Sequence, residues 1–190
     1  MTQRSIPEKT QRLFVAVELP DSVRQLLAQR QKGMPGVRWA SEDNLHLTLR
    51  FIGEAPLAQV AAVKAGLRDV SMEKFSLHIK GLGFFDRRPQ AVLWAGVEPA
   101  PGLLELKRQV DDALARHAGL NVSGGRFSPH ITLGRAQQAD RKALRTFTTR
   151  DGAILAAEFT VEFFTLFSSV LNPNGAVHTA EERYSLAGQY

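Results

Sequence analysis

The sequence predicts an α+β fold made of two similar halves, and three observations carry that prediction. A short pattern occurs twice, as His46-Leu47-Thr48-Leu49 and as His130-Ile131-Thr132-Leu133. Around each copy the hydrophobic periodicity runs in the same order: strand, helix, motif strand, helix, strand. A chain of 190 residues with 44% apolar side chains is enough for one such domain, or for two intimately packed lobes. Self-similarity at this scale makes a duplicated lobe rather than a solenoid, which needs three or more shorter units. The expected architecture is bilobal and pseudo-two-fold, with mixed or antiparallel sheets facing a central cleft and helices outside. Residues 1–190 read as a single domain: 1–12 a loose polar leader, with the halves near 13–86 and 89–188.

Each element has a local reason. Leu13 to Glu18 is a continuous apolar run, the mark of a strand buried on both faces. Pro20-Asp21 ends it, and Asp21 or Ser22 offers an N-cap to a helix with Val23, Leu26 and Leu27 on one stripe, ending near Gly33. Leu45 to Ile52 is the first motif strand, closed by Gly53. Pro56 opens a second helix with Leu57, Val60, Lys64 and Leu67 at helical spacing. Phe75 to Lys80 alternates as a half-buried strand does. The order then repeats. Ala91 to Val97 is a buried strand, and Pro101-Gly102 leads into a helix that Gly119 stops. Ser123 to Phe127 is a Gly-rich approach to the second motif strand, Pro129 to Gly134. Asp140 caps a short helix containing Leu144 and Phe147. Phe159 to Val170 reads as one long alternating strand, and Arg183 to Leu186 as the last.

The motif carries chemistry because residues two apart on a strand share a face. His46 and Thr48 point one way while Leu47 and Leu49 anchor the other side, and His130 and Thr132 do the same above Ile131 and Leu133. Two such strands side by side give two imidazoles and two hydroxyls. Imidazole titrates near 6.5, so at neutral pH one ring can accept a proton and another can donate one. The hydroxyls are suited to non-bridging phosphate oxygens. This is equipment for acid–base chemistry on a phosphate ester. One copy alone would read as an ordinary strand exposing a His; two copies in matched contexts make chance a poor explanation.

Five residues past each His the symmetry breaks, at Phe51 and Arg135. An Arg there suits phosphate, and a Phe suits stacking under a base or ribose, or plain core packing. Arg135 is odd-offset from His130, so strict alternation turns it away unless a bulge or strand end near Gly134 redirects it. Trp39, Phe84 and Phe127 are either a stacking shelf or core. Arg87, Arg88 and Arg126 either track a nucleic-acid backbone or are surface charge. His78 sits on a solvated face, His117 in a last helical turn and His178 in a loop, and none has a Thr partner. No metal and no cofactor is expected: His-x-Thr gives one good ligand per strand, with no Cys, no His-Glu-x-x-His and no carboxylate at a matching offset. No phosphate-binding loop with a Gly-Lys-Ser/Thr ending is present, so a nucleotide-driven ligase mechanism is not encoded.

A net charge of +5 carried mostly by Arg fits a polyanionic partner. No apolar run is long enough to span a bilayer, the N-terminal stretch has no apolar signal region, and the absence of Cys suits a reducing cytoplasm, which is the expected location.

The chain also resembles a known family. The resemblance rests on Arg12-Leu13-Phe14-Val15-Ala16, Val37-Arg38-Trp39, Asn44 through Gly53, Gly81-Leu82-Gly83-Phe84, Val92 through Val97 and Phe127 through Arg135. In that order they are similar to the two-histidine phosphoesterases, and within them to the bacterial RNA 2′,3′-cyclic phosphodiesterases, also called 2′-5′ RNA ligases. Asn172 to Glu182 is longer and more polar than that family's pattern. The resemblance implies a bilobal fold around a water-filled cleft and metal-free opening of RNA 2′,3′-cyclic phosphates to 2′-phosphates. For some members it also implies reversible formation of 2′-5′ linkages. It implies His46 as general acid at the ribose 3′ oxygen and His130 as general base for water, with Thr48, Thr132 and Arg135 on the phosphate. The implied partner is RNA ending in a 2′,3′-cyclic phosphate, tRNA fragments among them, met by a monomer. Small cyclic nucleotides, ADP-ribose cyclic phosphate, or a non-catalytic RNA-binding role are the competing readings.

Overall fold

Strand periodicity and helix punctuation translate into structure largely as read. The computed structural model describes residues 9–121, 125–138, 140–152, 155–173 and 175–187. In chain order they form β1 (Thr10–Glu18), α1 (Asp21–Ala28), β2 (Val37–Trp39), a 3-10 turn (Glu42–Asn44), β3 (His46–Pro56), α2 (Leu57–Leu67), β4 (Phe75–Arg87), β5 (Gln90–Val97), α3 (Pro101–Ala118), β6 (His130–Ala136), α4 (Arg141–Gly152), β7 (Ala156–Val161), β8 (Phe163–Asn172) and β9 (Gly175–Ser185). Pro101 opens α3, where its missing N–H costs no hydrogen bond, and Gly119 ends it at φ +63°. The Asp140 carboxylate accepts the Lys142 N–H at 2.8 Å, the capping contact expected of it.

Four expectations are corrected. Thr10 to Arg12 belong to β1, because they pair with Glu54 to Pro56, while the first eight residues of the expected leader lie outside the described residues. Pro20 is the N-cap of α1; Asp21 sits in its first turn and accepts Arg24 Nη2 at 2.5 Å, and the helix ends at Ala28, short of Gly33. Phe159 to Val170 is two strands broken at Glu162: β7 pairs with β4 while β8 pairs with β1, so the chain crosses between distant parts of the sheet. The last strand begins at Gly175, not Arg183. Of the Gly-rich approach, 122–124 lie outside the described residues.

Among the described residues, nine strands join one sheet in the order β7-β4-β5-β6-β3-β1-β8-β9, with β2 beside β6, and the ladders between them are antiparallel. The sheet curls into a half-barrel. Its two four-stranded arms, β7-β4-β5-β6 and β3-β1-β8-β9, are the duplicated lobes, and they meet where the motif strands β3 and β6 pair. The arms do not coincide with the sequence halves. β4 comes from the first half but sits between β5 and β7, and β8 and β9 come from the second but extend from β1. Leu47, Ile131, Val15, Leu103 and Leu106, each fully buried, belong to the main core between sheet and helices. A smaller core of Met34, Leu93, Leu144 and Phe147 includes residues of α4. Among the described residues, no helix is long and apolar enough to cross a membrane.

Candidate active site

The site grows from the seam between the arms. Leu47 pairs with Ile131, and both are fully buried. Continued one step each way, this antiparallel register sets His46 opposite Thr132 and Thr48 opposite His130. The four polar side chains therefore share the face turned away from the core. The two histidines lie on the diagonal, about 7–8 Å apart at Cα by ordinary sheet geometry.

Both rings are clamped from behind by the residue two places earlier. His130 Nδ1 lies 2.7 Å from the Ser128 carbonyl, and His46 hydrogen-bonds the backbone of Asn44. A carbonyl at Nδ1 fixes the tautomer and leaves Nε2 as the working nitrogen. The surroundings differ. His130 meets Phe85 edge-on at 4.9 Å. His46 lies 4.9 Å from Phe14, 6.2 Å from Phe167 and 5.4 Å from the ring of His178. Burial in that box pushes the His46 imidazole from 6.5 down to about 4; the positive charge His178 can carry adds to this, and so more weakly does that of His130, while the Asn44 backbone opposes it. His46 is therefore neutral at pH 7 while the cleft is empty.

A cleft of about 1030 Å³ opens over this face. His46, Thr48, Thr132, Phe51 and Arg135 all line it; His130 does not, and reaches the site through its register with Thr48. Two bulges bring Phe51 and Arg135 there. On β3, Ala16 pairs with Thr48 but Val15 with Arg50, so Leu49 is the extra residue and the alternation inverts beyond it. Arg50 turns toward α3 and Asp111, at 3.4 Å, and Phe51 comes up opposite Phe14. At 66% exposure Phe51 is not core, which settles that alternative. On β6, Trp94 pairs with Thr132 and Leu93 with Gly134, leaving Leu133 extra and turning Arg135 to the cleft. The expected bulge thus exists, one residue before Gly134.

Other candidates separate cleanly. Trp39 lines the cleft while packing on the core; Phe84 and Phe127 pack against core residues. Arg87, Arg88 and Arg126 are exposed and none lines the cleft. His78 stands on β4 beside Glu158 at 3.4 Å, and His117 pairs with Asp69 at 2.6 Å. Sequence reasoning missed three cleft residues: Arg12, Arg38 and His178. Arg38 lies directly opposite Arg135 across the β2–β6 pair. Like charges so placed repel, and an anion between them relieves that cost. His178 is not in a loop but on β9. The signal was available: Pro173 and Gly175 between the apolar pairs Val170-Leu171 and Ala176-Val177 are turn residues, and β8 pairs with β9 from Asn172 and Gly175 outward. Among the described residues that line the cleft there is no Asp or Glu.

Comparisons with known proteins show the family and the fold. The model of the 2′-5′ RNA ligase superfamily matches residues 19–172. The RNA 2′,3′-cyclic phosphodiesterase of Thermus thermophilus is 33% identical, over 94% of this chain and 92% of that protein. The protein of the same name from Thermotoga maritima is 30% identical, over 88% of this chain and 91% of its own length. Among solved structures, E. coli LigT complexed with 3′-AMP superposes with a TM-score of 0.76 at 27% identity, covering 94% of this chain and 99% of that one. With the family model matching residues 19–172 and relatives 30–33% identical along most of the chain, this protein belongs to the 2′-5′ RNA ligase superfamily.

Proposed function

We propose that the protein is an RNA 2′,3′-cyclic phosphodiesterase that opens a terminal cyclic phosphate to a 2′-phosphate. The observation that carries the reading is the seam register, which sets each motif histidine across from the other motif's threonine beside an Arg-lined, carboxylate-free cleft. His130 Nε2 takes a proton from water as the water oxygen bonds to phosphorus. The P–O3′ bond breaks, and His46 Nε2 gives its proton to the departing 3′ oxygen. The product carries a 2′-phosphate and a 3′-hydroxyl, and the proton gained by His130 balances the one lost by His46. Thr48 and Thr132 donate to the non-bridging oxygens where charge builds up, and Arg135 pairs with the same group. Phe51 stacks beneath the terminal nucleoside. With a 5′-hydroxyl of a second RNA end in place of water, the same step yields a 2′-5′ linkage.

The low proton affinity of His46 in the empty cleft bears on its role as acid. A phosphate anion beside the ring favours the imidazolium, so His46 gains its proton together with the substrate. Arg12 and Arg38 extend the positive wall beyond what one cyclic phosphate needs, which favours RNA ends, such as cleaved tRNA, over small cyclic nucleotides. The working form we propose is a cytoplasmic monomer acting without metal or cofactor.

The test is turnover, in EDTA, of a short RNA ending in a 2′,3′-cyclic phosphate, by wild type, His46→Ala and His130→Ala, with 2′- and 3′-phosphate products resolved. Metal-free 2′-phosphate formation that falls by about 10²–10⁴ in each variant is expected. No turnover by folded wild type overturns the RNA-end reading; activity on small cyclic nucleotides alone, or RNA binding without turnover, would name its replacement.

A further inference from the structure

His178 extends from β9 into the environment of His46. Its ring stands nearly perpendicular to that of His46, at 85° and 5.4 Å, and edge-on to Phe14 at 4.8 Å. Phe14 in turn stacks on Phe167 at 5.1 Å, so three rings enclose His46. In the β8–β9 pair His178 is opposite Ser169, and both line the cleft. The Nδ1 atom of His178 is buried without a hydrogen-bond partner. An unpaired buried nitrogen is destabilising, and a phenyl ring of similar shape would not leave one there. Any ligand must therefore be met through the other ring nitrogen.

We infer that His178 is a positioning residue of this site, seating the His46 ring edge-on and offering its second nitrogen to the same bound anion. The inference rests on the phosphate-ester reading given above.

The hairpin that carries His178 is fixed at its tip, where the Pro173 carbonyl accepts Arg38 Nη2 at 2.7 Å. The charged and titratable groups that share the cleft with His178 are Arg12 on β1, Arg38 on β2, His46 on β3 and Arg135 on β6, with His130 on β6 acting on His46, while β8 contributes the neutral Ser169. Each of the charged groups is cationic or becomes so on protonation. A proton on His178 thus opposes one on His46 until an anion enters, and burial already lowers the affinity of His178 for its own. Anion occupancy and protonation of the pair are one event.

The experiment follows the His46 ring nitrogens by NMR through a pH titration of the full chain, with and without inorganic phosphate, in wild type, His178→Phe, His178→Gln and His178→Ala. The pH dependence of kcat/KM on a cyclic phosphate RNA is measured alongside. His178→Phe keeps the ring packing and removes the charge together with the ring nitrogens, so His46 is expected to titrate at higher pH and the corresponding limb of the profile to move with it. His178→Ala is expected to lose about ten- to a hundred-fold in kcat through a poorly seated ring, with most of the loss restored by Phe. An unchanged His46 midpoint in both His178→Phe and His178→Gln overturns the inference, as does an unmoved pH profile. A moved midpoint with no turnover by wild type overturns the substrate reading while leaving the coupling of His178 to His46 standing.

Discussion

His46 and His130 hold equivalent places in twin motifs, yet one is enclosed by three rings and the other meets a single edge. The sequence displayed the equivalence and concealed the difference, because the aromatic box is assembled from β1, β8 and β9, far from His46 along the chain. The free protein is expected to show a His46 resonance titrating near pH 4, moving up when inorganic phosphate is added; a midpoint near 6.5 without phosphate would contradict the box. The sign carries over to stability. The native midpoint lies below that of the unfolded chain, so between pH 6.5 and about 4 the unfolded state binds a proton that the native state excludes. Stability is lost as pH falls through that window, by up to roughly 3 kcal/mol, and urea unfolding of His46→Asn should show a shallower decline. The threonines act where charge develops, so Thr48→Val and Thr132→Val are each expected to lower kcat about 10²–10³-fold, read by single-turnover kinetics.

Strands and helices with strong periodicity were legible, as were the proline entry and glycine exit of α3. Bulges were not. An extra residue at Leu49 or Leu133 leaves the hydrophobic pattern almost unchanged, yet it decides whether Phe51 and Arg135 face core or cleft. The break at Glu162 was hidden because Phe159, Val161 and Phe163 alternate straight through it in the sequence, whereas in the structure the buried set shifts from Phe159 and Val161 to Phe164 and Leu166. β2 has three residues, too few for a period. Its placement depends on Gly134, where an added Cβ would lie 2.8 Å from the Trp39 ring and 2.9 Å from the Arg38 carbonyl. Gly134→Val is therefore expected to push β2 off β6 and misplace Arg38 and Arg135 together. The check is a rise in KM for cyclic phosphate RNA of at least about tenfold with a lowered Tm, against a small change in kcat.

Over the whole molecule, three of the 24 Lys and Arg residues line the cleft that holds His46, Thr48 and Thr132. The overall charge predicted a polyanionic partner; it could not say that Arg12, Arg38 and Arg135 line one cleft while Arg87, Arg88 and Arg126 stand apart from it. Removing a phosphate contact lowers the dependence of RNA affinity on salt, so Arg38→Ala should flatten a plot of log K against log salt by about 0.7 for a single strand. An unchanged slope would place Arg38 outside the RNA path. The duplication was legible as a repeat of order, whereas the exchange of strands between its halves was not, since pairing partners leave no local trace. That exchange makes each half an incomplete object. Cut in the turn between β4 and β5, the chain would yield one piece carrying β4 without its neighbours and another carrying the β8–β9 hairpin without β1 to pair with. Neither piece should fold when expressed alone, but the two produced together should reassemble and regain turnover, so this enzyme is a natural candidate for a split reporter whose signal requires both parts in one place.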